Sequence, residues 1–269
     1  MAFESTDSAD GPMPPMAVFA LLARGASDLR ATGFLGVAYG VVFVLMGYAV
    51  AILYQHIWQL TMGLTAAFFL LGPFICCGIY ELSRQRERGE RLDFGATLTC
   101  WMRNWKSVAF FAAILTFFIV IWVRVSVVLF ALFATHNYPQ LNDMLSKIVS
   151  MDNLEFMGVW TAVGFVFASL VFAMSVVSMP MMLDRGSDTI ESIAASAIAL
   201  WNNPGAMLLW ALTITVLIGA SLIFFLPLLA LTAPLVGHTT WQMYKALVPA
   251  RLPLAADSAA ESGAQHEAS

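Results

Sequence analysis

An all-α membrane protein is what this chain predicts: six transmembrane helices arranged as three hairpins, each preceded by a short cytoplasmic interfacial amphipathic helix. Three observations lead there. Of 269 residues, 60% are hydrophobic and only 11% are charged, against about 25% charged in a soluble domain, which excludes a water-soluble fold. The apolar residues gather into six runs, each of about 20 residues or more and so long enough to cross roughly 30 Å of hydrocarbon. The lysines and arginines fall almost entirely on one side of those runs, as cytoplasmic loops require.

Taken in order, Met1 to Met13 is polar and acidic, and the chain is expected to carry no cleavable leader, because no basic segment precedes a short apolar one. Residues 1–15 read as a disordered tail, 16–248 as one membrane domain, and 249–269 as a second tail. Val18, Leu21, Leu22, Gly25 and Leu29 recur at helical spacing, predicting the first interfacial helix, with Asp28 as a cap before the span Phe34 to Leu53. A tight outer turn, Tyr54 to Gln59, leads into the second span, Leu60 to Tyr80, where Pro73 predicts a kink. Phe94, Leu98, Trp101, Met102 and Trp105 form the second amphipathic face, with Asn104 as its cap, and Ser107 to Phe133 is the third span. After an outer loop from Ala134 to Phe156 comes the fourth span, Met157 to Met181. Ile190, Ile193, Ala194, Ala197, Ile198 and Trp201 then form the third amphipathic face. Asn203 is read as a cap with Pro204 at the first helical position; spans Ala206 to Phe225 and Pro227 to Leu247 follow.

Orientation follows from charge. Arg24 and Arg30 precede the first span, Arg84, Arg86, Arg88, Arg91, Arg103 and Lys106 crowd the second connection, and Arg185 follows the fourth span. Lys245 and Arg251 join them only if the last apolar stretch crosses twice, which favours six spans over five and places both termini in the cytoplasm. Of the 13 basic residues, Lys147 alone is then outside and Arg124 alone lies well inside a span. The net charge of −4 comes largely from the acidic ends, so no nucleic-acid partner is expected. Cys76, Cys77 and Cys100 are expected to be free thiols, since adjacent cysteines on a helix do not bridge and none lies in an outer loop.

Two residues stand out as candidate sites. Arg124 either marks a functional contact, with backbone carbonyls, Ser169, Ser175 or a lipid phosphate as partner, or snorkels its guanidinium to the outer interface. His238 either ligates a haem or metal or relays a proton, or simply hydrogen-bonds a neighbouring carbonyl near the interface; His56 and His136 fall in outer loops and cannot join it. Neither reading establishes a bound group, so no cofactor and no metal is expected. Absence of a carboxylate deep in any span disfavours ion-coupled transport. Glu81 reaches Arg84 at i+3 and Glu87 reaches Arg91 at i+4, which reads as pairing on a solvated helix extension. Trp101, Trp105 and Trp201 read as interfacial anchors.

The hairpin unit recurs three times in outline, and its returning helices echo one another: Pro73 to Tyr80 with Gly78 between, and Pro234 to Trp241 with Gly237 between. The middle unit departs, with Pro180 followed by Asp184, Arg185 and Gly186. The runs GPFICCGIYELSRQRERGE (Gly72 to Glu90) and GHTTWQMYKALV (Gly237 to Val248) resemble the signature stretches of a bacterial membrane-protein family, domain-of-unknown-function family 2189. The resembling positions are Gly72, Pro73, Gly78, Tyr80, Glu81, Arg84, Arg88, Gly89, Gly237, His238, Trp241 and Tyr244. That resemblance implies a multi-span protein of the bacterial inner membrane and implies no activity. The expected role is non-enzymatic: an accessory or assembly protein whose partners are the lipid bilayer and another inner-membrane protein. The alternative is a small-molecule or lipid facilitator with Arg124 beside its path.

Overall fold

The computed structural model describes residues 12–56, 74–133 and 154–248, and every regular element among them is helical. In chain order these are α1 (Ala17–Thr32), α2 (Phe34–His56), α3 (74–87), α4 (Phe94–Thr99), α5 (Trp105–Phe133), α6 (Leu154–Ser175), α7 (Ser178–Arg185), α8 (Thr189–Asn202), α9 (Pro204–Phe224) and α10 (Leu229–Leu247). Short 3-10 turns at Cys100–Asn104 and Leu226–Leu228 join α4 to α5 and α9 to α10.

Among the described residues, three stretches are long and apolar enough to cross a membrane: Phe94–Leu129, Gly158–Arg185 and Pro204–Phe224. A fourth exists if α1 and the first part of α2, bent by 102° at Gly33, count as one broken span. The bend has a local cause, because Gly33 has φ +53°, which ends α1 before α2 begins. Most of the predicted second span lies outside the described residues, as do residues 1–11 of the first tail, the second tail, the loop 134–153 and Gly72 and Pro73. The predicted sixth span is α10, kept out of the apolar set by Thr232, His238, Thr239, Thr240, Gln242 and Lys245.

Polar α10 is nonetheless the central helix. It packs on α1, α2, α7 and α9, and eleven of its side chains, Thr232, His238 and Trp241 among them, are buried against protein. Glycines set how closely it is approached: Gly25 of α1 lies against Thr239 and Gly40 of α2 against the backbone of Ala230. α3 stands between two apolar clusters, with Cys77 and Tyr80 in one beside Val108, Phe111, Met182 and Trp210, and Ile79 and Leu82 in the other beside Tyr39, Phe43 and Leu229. The three cysteines are free thiols.

The three amphipathic helices do not treat their faces alike. On α1, Val18, Leu21, Gly25, Asp28 and Thr32 turn inward onto α10, so the stripe runs through Asp28 and Thr32 rather than Leu29 and is covered by protein, not lipid. On α8 the order is reversed: Thr189, Ser192, Ser196 and Ala199 are buried, whereas Ile190, Ile198 and Trp201 are exposed. α4 and its turn likewise expose Phe94, Leu98, Trp101 and Met102, with Trp105 beside them, and bury Thr97 and Cys100. Small polar residues inside and large apolar ones outside is the pattern of helices packed in lipid.

The predicted caps are corrected. Asp28 lies inside α1 and caps nothing, because its carboxylate is held by Arg86 and Gln242. Asn104 spends its amide on the carbonyls of Met182 (3.2 Å) and Ser187 (2.8 Å). Asn203 precedes α9, with Pro204 first in that helix as expected, but its oxygen accepts the Met13 amide (2.7 Å) rather than an α9 donor. The side chains that do cap helix starts are Asp93, on Gly95 N, and Asp188, on Glu191 N, each at 2.8 Å.

Candidate functional site

The last two turns of α3 carry a polar side chain at nearly every position, and most of these find a partner on another element. Helical geometry makes this possible, since consecutive residues point about 100° apart and so sweep the whole circumference. Glu81, 1% exposed, takes a two-pronged bond from Arg84, Nε at 2.8 Å and a terminal nitrogen at 2.6 Å, and a second guanidinium, Arg103, closes on the same carboxylate. Gln85 donates to Glu81 at 3.3 Å and accepts the Asp93 amide at 2.9 Å, tying the turn after α3 to the start of α4. Arg86 pairs with Asp28 of α1, and Gln242 of α10 donates to that carboxylate at 2.6 Å.

Glu87 accepts the Trp241 indole N–H at 3.1 Å and pairs with Lys245 at 3.2 Å. The expected partner Arg91 is out of reach because α3 ends at residue 87 and the chain turns at Gly89, φ +66°. Arg88 faces Asp184 of α7 at 3.8 Å. Asp184 also accepts the Tyr244 hydroxyl at 2.8 Å and Lys245 at 3.3 Å, while Arg185 donates to the Tyr244 oxygen at 2.9 Å and to the Val248 carbonyl at 2.7 Å. An open polar cleft of about 680 Å³ lies beside this group, lined by Asp184, Arg185, Asp188, Glu191 and Lys245.

Glu81 is therefore not on a solvated extension, as its sequence position implies, but in a buried junction. Burial pushes its carboxyl up, and the hydrogen bonds and charges of Arg84 and Arg103 more than reverse that, leaving it below the ordinary glutamate value. Hydrogen bonding to Glu81 in turn raises Arg84 against the opposing effect of burial.

His238 is fully buried between Ser83 Oγ, 2.7 Å from Nδ1, and Thr32 Oγ1, 3.3 Å from Nε2. Both ring nitrogens are thus engaged by hydroxyls, and among the described residues no group of three or more histidine, cysteine, aspartate or glutamate side chains is placed to hold a metal. Of the resembling positions, Tyr80, Glu81, Arg84, Arg88, His238, Trp241 and Tyr244 all converge here, and Trp241 and Tyr244 pack ring to ring at 5.6 Å. Gly78 and Gly237 are close-packing points, on the Tyr39 ring and the Ile79 side chain, and Gly89 is the turn. Sequence reading missed Thr32, Ser83, Arg103 and Gln242, and it read Asp28 as a cap; the signal for Asp28 was a carboxylate in register with the apolar stripe at 18, 21, 25 and 32.

Arg124 is not part of this junction. It is exposed on the C-terminal half of α5 and makes no hydrogen bond or ion pair with the described residues, Ser169 and Ser175 included.

The model of a family described as "Predicted integral membrane protein (DUF2189)" matches residues 60–184. No curated protein and no solved structure matches. The matched segment holds the first resembling run and the hub residues Glu81, Arg84, Arg86, Arg103 and Asp184, while Asp28 of α1, which pairs with Arg86, and Tyr244 of α10, which bonds Asp184, lie beyond it.

Proposed function

We propose that this chain, which over residues 60–184 belongs to that family of predicted integral membrane proteins, is a non-enzymatic accessory or assembly protein of the bacterial inner membrane that binds other membrane proteins and lipids. One observation carries the reading. Asp28, Glu81 and Asp184 are turned inward and neutralised by cations from other elements, Arg86, Arg103 and Lys245, while α4 and α8 and their flanking turns present tryptophan and aliphatic side chains outward. A carboxylate held by two guanidiniums is a poor base and a poor ion carrier. An exposed apolar face needs lipid or another protein to cover it.

In this reading the chain crosses the bilayer six times as three hairpins, with both termini in the cytoplasm and the polar junction at the cytoplasmic end. A helix as polar as α10 crosses because its polar side chains bond to α1, α3 and to its own carbonyls rather than to lipid, as Thr239 and Thr240 do to Leu235 and Val236 at 2.8 Å. A C-terminal green fluorescent fusion is expected to fluoresce and a C-terminal alkaline phosphatase fusion to be inactive; an active phosphatase would overturn the six-span topology.

The role itself is tested by affinity purification of the tagged full chain in mild detergent, with mass spectrometry of proteins and lipids. A stoichiometric membrane partner or a tightly retained lipid is expected. A chain that travels alone, free of both, would remove the basis for the proposal.

A further inference from the structure

We infer that Arg124 binds the phosphate of a phospholipid headgroup, in the leaflet on the far side of the membrane from the polar junction. The inference deepens the lipid-binding reading above and rests on α5 being a full crossing.

Its depth can be fixed from two directions. On α6, Trp160 packs against Trp122 of α5 with ring centroids 5.5 Å apart, and Trp122 also meets Phe167 at 5.5 Å and lies over Gly164, so Trp122 stands level with the turns of α6 between Trp160 and Phe167, centred on Gly164. Five residues before Trp160, in the first turn of α6, stands the exposed carboxylate of Glu155, about 7.5 Å further out at 1.5 Å per residue. An exposed carboxylate belongs at or beyond the hydrocarbon boundary, because its cost inside is several kcal/mol. Trp160 therefore lies within about 7.5 Å of that boundary, and Trp122, level with Gly164, within about 13.5 Å of it. Arg124, two residues beyond Trp122, is about 3 Å further out, so at most about 10.5 Å separates its backbone from that boundary, a gap its extended stem narrows.

The second ruler starts at the other face. α5 begins at Trp105 beside Lys106, both exposed, and 19 residues on, at about 28 Å, comes Arg124. That is close to the roughly 30 Å of a hydrocarbon core. α9, whose 21 residues run from Pro204 to Phe224, gives about 31 Å for the same crossing.

Direction agrees with depth. Trp122 faces α6, and two residues at 100° each turn Arg124 to the far side of the helix, where it is exposed and unbonded among the described residues. A guanidinium there meets headgroups, and its planar fork matches a phosphate in two hydrogen bonds. The apolar turns beyond it, with Val127, Val128 and Leu132 exposed, then stand in the headgroup layer.

The test uses full-length protein carrying arginine labelled with ¹³C at Cζ, in phosphatidylglycerol liposomes and phosphate-free buffer. Carbon–phosphorus dipolar recoupling is measured for wild type and for Arg124→Gln, and the difference isolates one arginine of the ten. That carbon is expected to be dephased by lipid phosphorus as a direct contact requires; an undephased difference signal would overturn the assignment. Should Arg124→Gln fail to fold, Arg124→Lys removes the same carbon while keeping the charge. Added inorganic phosphate, resolved by its own resonance, is expected to contribute nothing, and dephasing from it instead would overturn the lipid as the source. Co-purification of partners is a separate readout, so either result can fail alone.

Discussion

Glu81→Ala is expected to destabilise the folded chain by about 3 kcal/mol, because it leaves two guanidiniums facing each other where one buried carboxylate had held both. Breaking a buried pair from one side costs about 3–5 kcal/mol, and the low end applies because Arg103, roughly half exposed, can recover some hydration whereas Arg84 cannot. The loss extends beyond the ion pairs, since Gln85 bonds the same carboxylate and also carries the link to Asp93. Unfolding of the purified protein in mixed micelles with increasing sodium dodecyl sulfate measures it. A shift below about 0.5 kcal/mol, the range of ordinary surface changes, would mean that the junction contributes no net stability. Adding Arg103→Ala to Glu81→Ala is expected to recover part of the loss, because it removes one of the stranded charges.

The same residue sets an acid limit. Glu81 titrates lower in the folded chain than a free glutamate does, so the unfolded chain binds the proton more readily. The stabilisation is then fully present above the unfolded value, about 4.3, and is lost as pH falls through the lower folded value. Wild-type stability in detergent is expected to decline below about pH 4, and in Glu81→Gln this part of the decline is expected to disappear. A variant that keeps the full acid slope would overturn Glu81 as its source.

Hydrophobicity is a local property, and the spans show it. The predicted runs at Phe34, Ser107, Met157 and Ala206 begin within three residues of α2, α5, α6 and α9. The one-sided basic residues, read as a topology signal, also turn out to be construction material: Arg84, Arg86, Arg88, Arg103 and Lys245 all bind carboxylates in the junction. What the sequence hid was pairing at long range, such as Gln242 with Asp28 and Ser83 with His238, which no periodicity encodes. Periodicity also tells which residues share a face and not what covers it. The stripes of α1 and α8 have the same spacing, yet one is sealed by α10 and the other opens outward. Asp28 was misread because capping is judged from neighbours in sequence, while the break it was assigned to belongs to Gly33 five residues on.

Gly40→Val is expected to separate α2 from α10 and to prevent stable folding in detergent. A Cβ at position 40 would lie 2.1 Å from the Ala230 carbonyl oxygen and 2.6 Å from its carbon, and backbone atoms cannot swing aside as a side chain can. Sequence explains why that carbonyl is there. Pro234, inside α10, has no N–H to return to Ala230 four residues earlier, so the Ala230 oxygen lacks its usual helical donor. It projects instead toward Gly40, where a Cα–H contact is the interaction open to it in an apolar setting. Even Gly40→Ala is therefore expected to cost about 2–3 kcal/mol, in the range of core overpacking. Gly219→Ala, on α9 with nothing near its Cβ direction, is expected to be neutral or to stabilise by up to about 1 kcal/mol, as alanine does in a helix. Detergent unfolding midpoints for the pair give the comparison, and equal midpoints would dismiss close packing at Gly40. Pro234→Ala supplies the internal check: with an N–H restored the carbonyl is drawn back into α10, and the penalty of Gly40→Ala in that background is expected to shrink. A penalty unchanged by Pro234→Ala would show that steric crowding alone, without the freed carbonyl, governs the contact between these two helices.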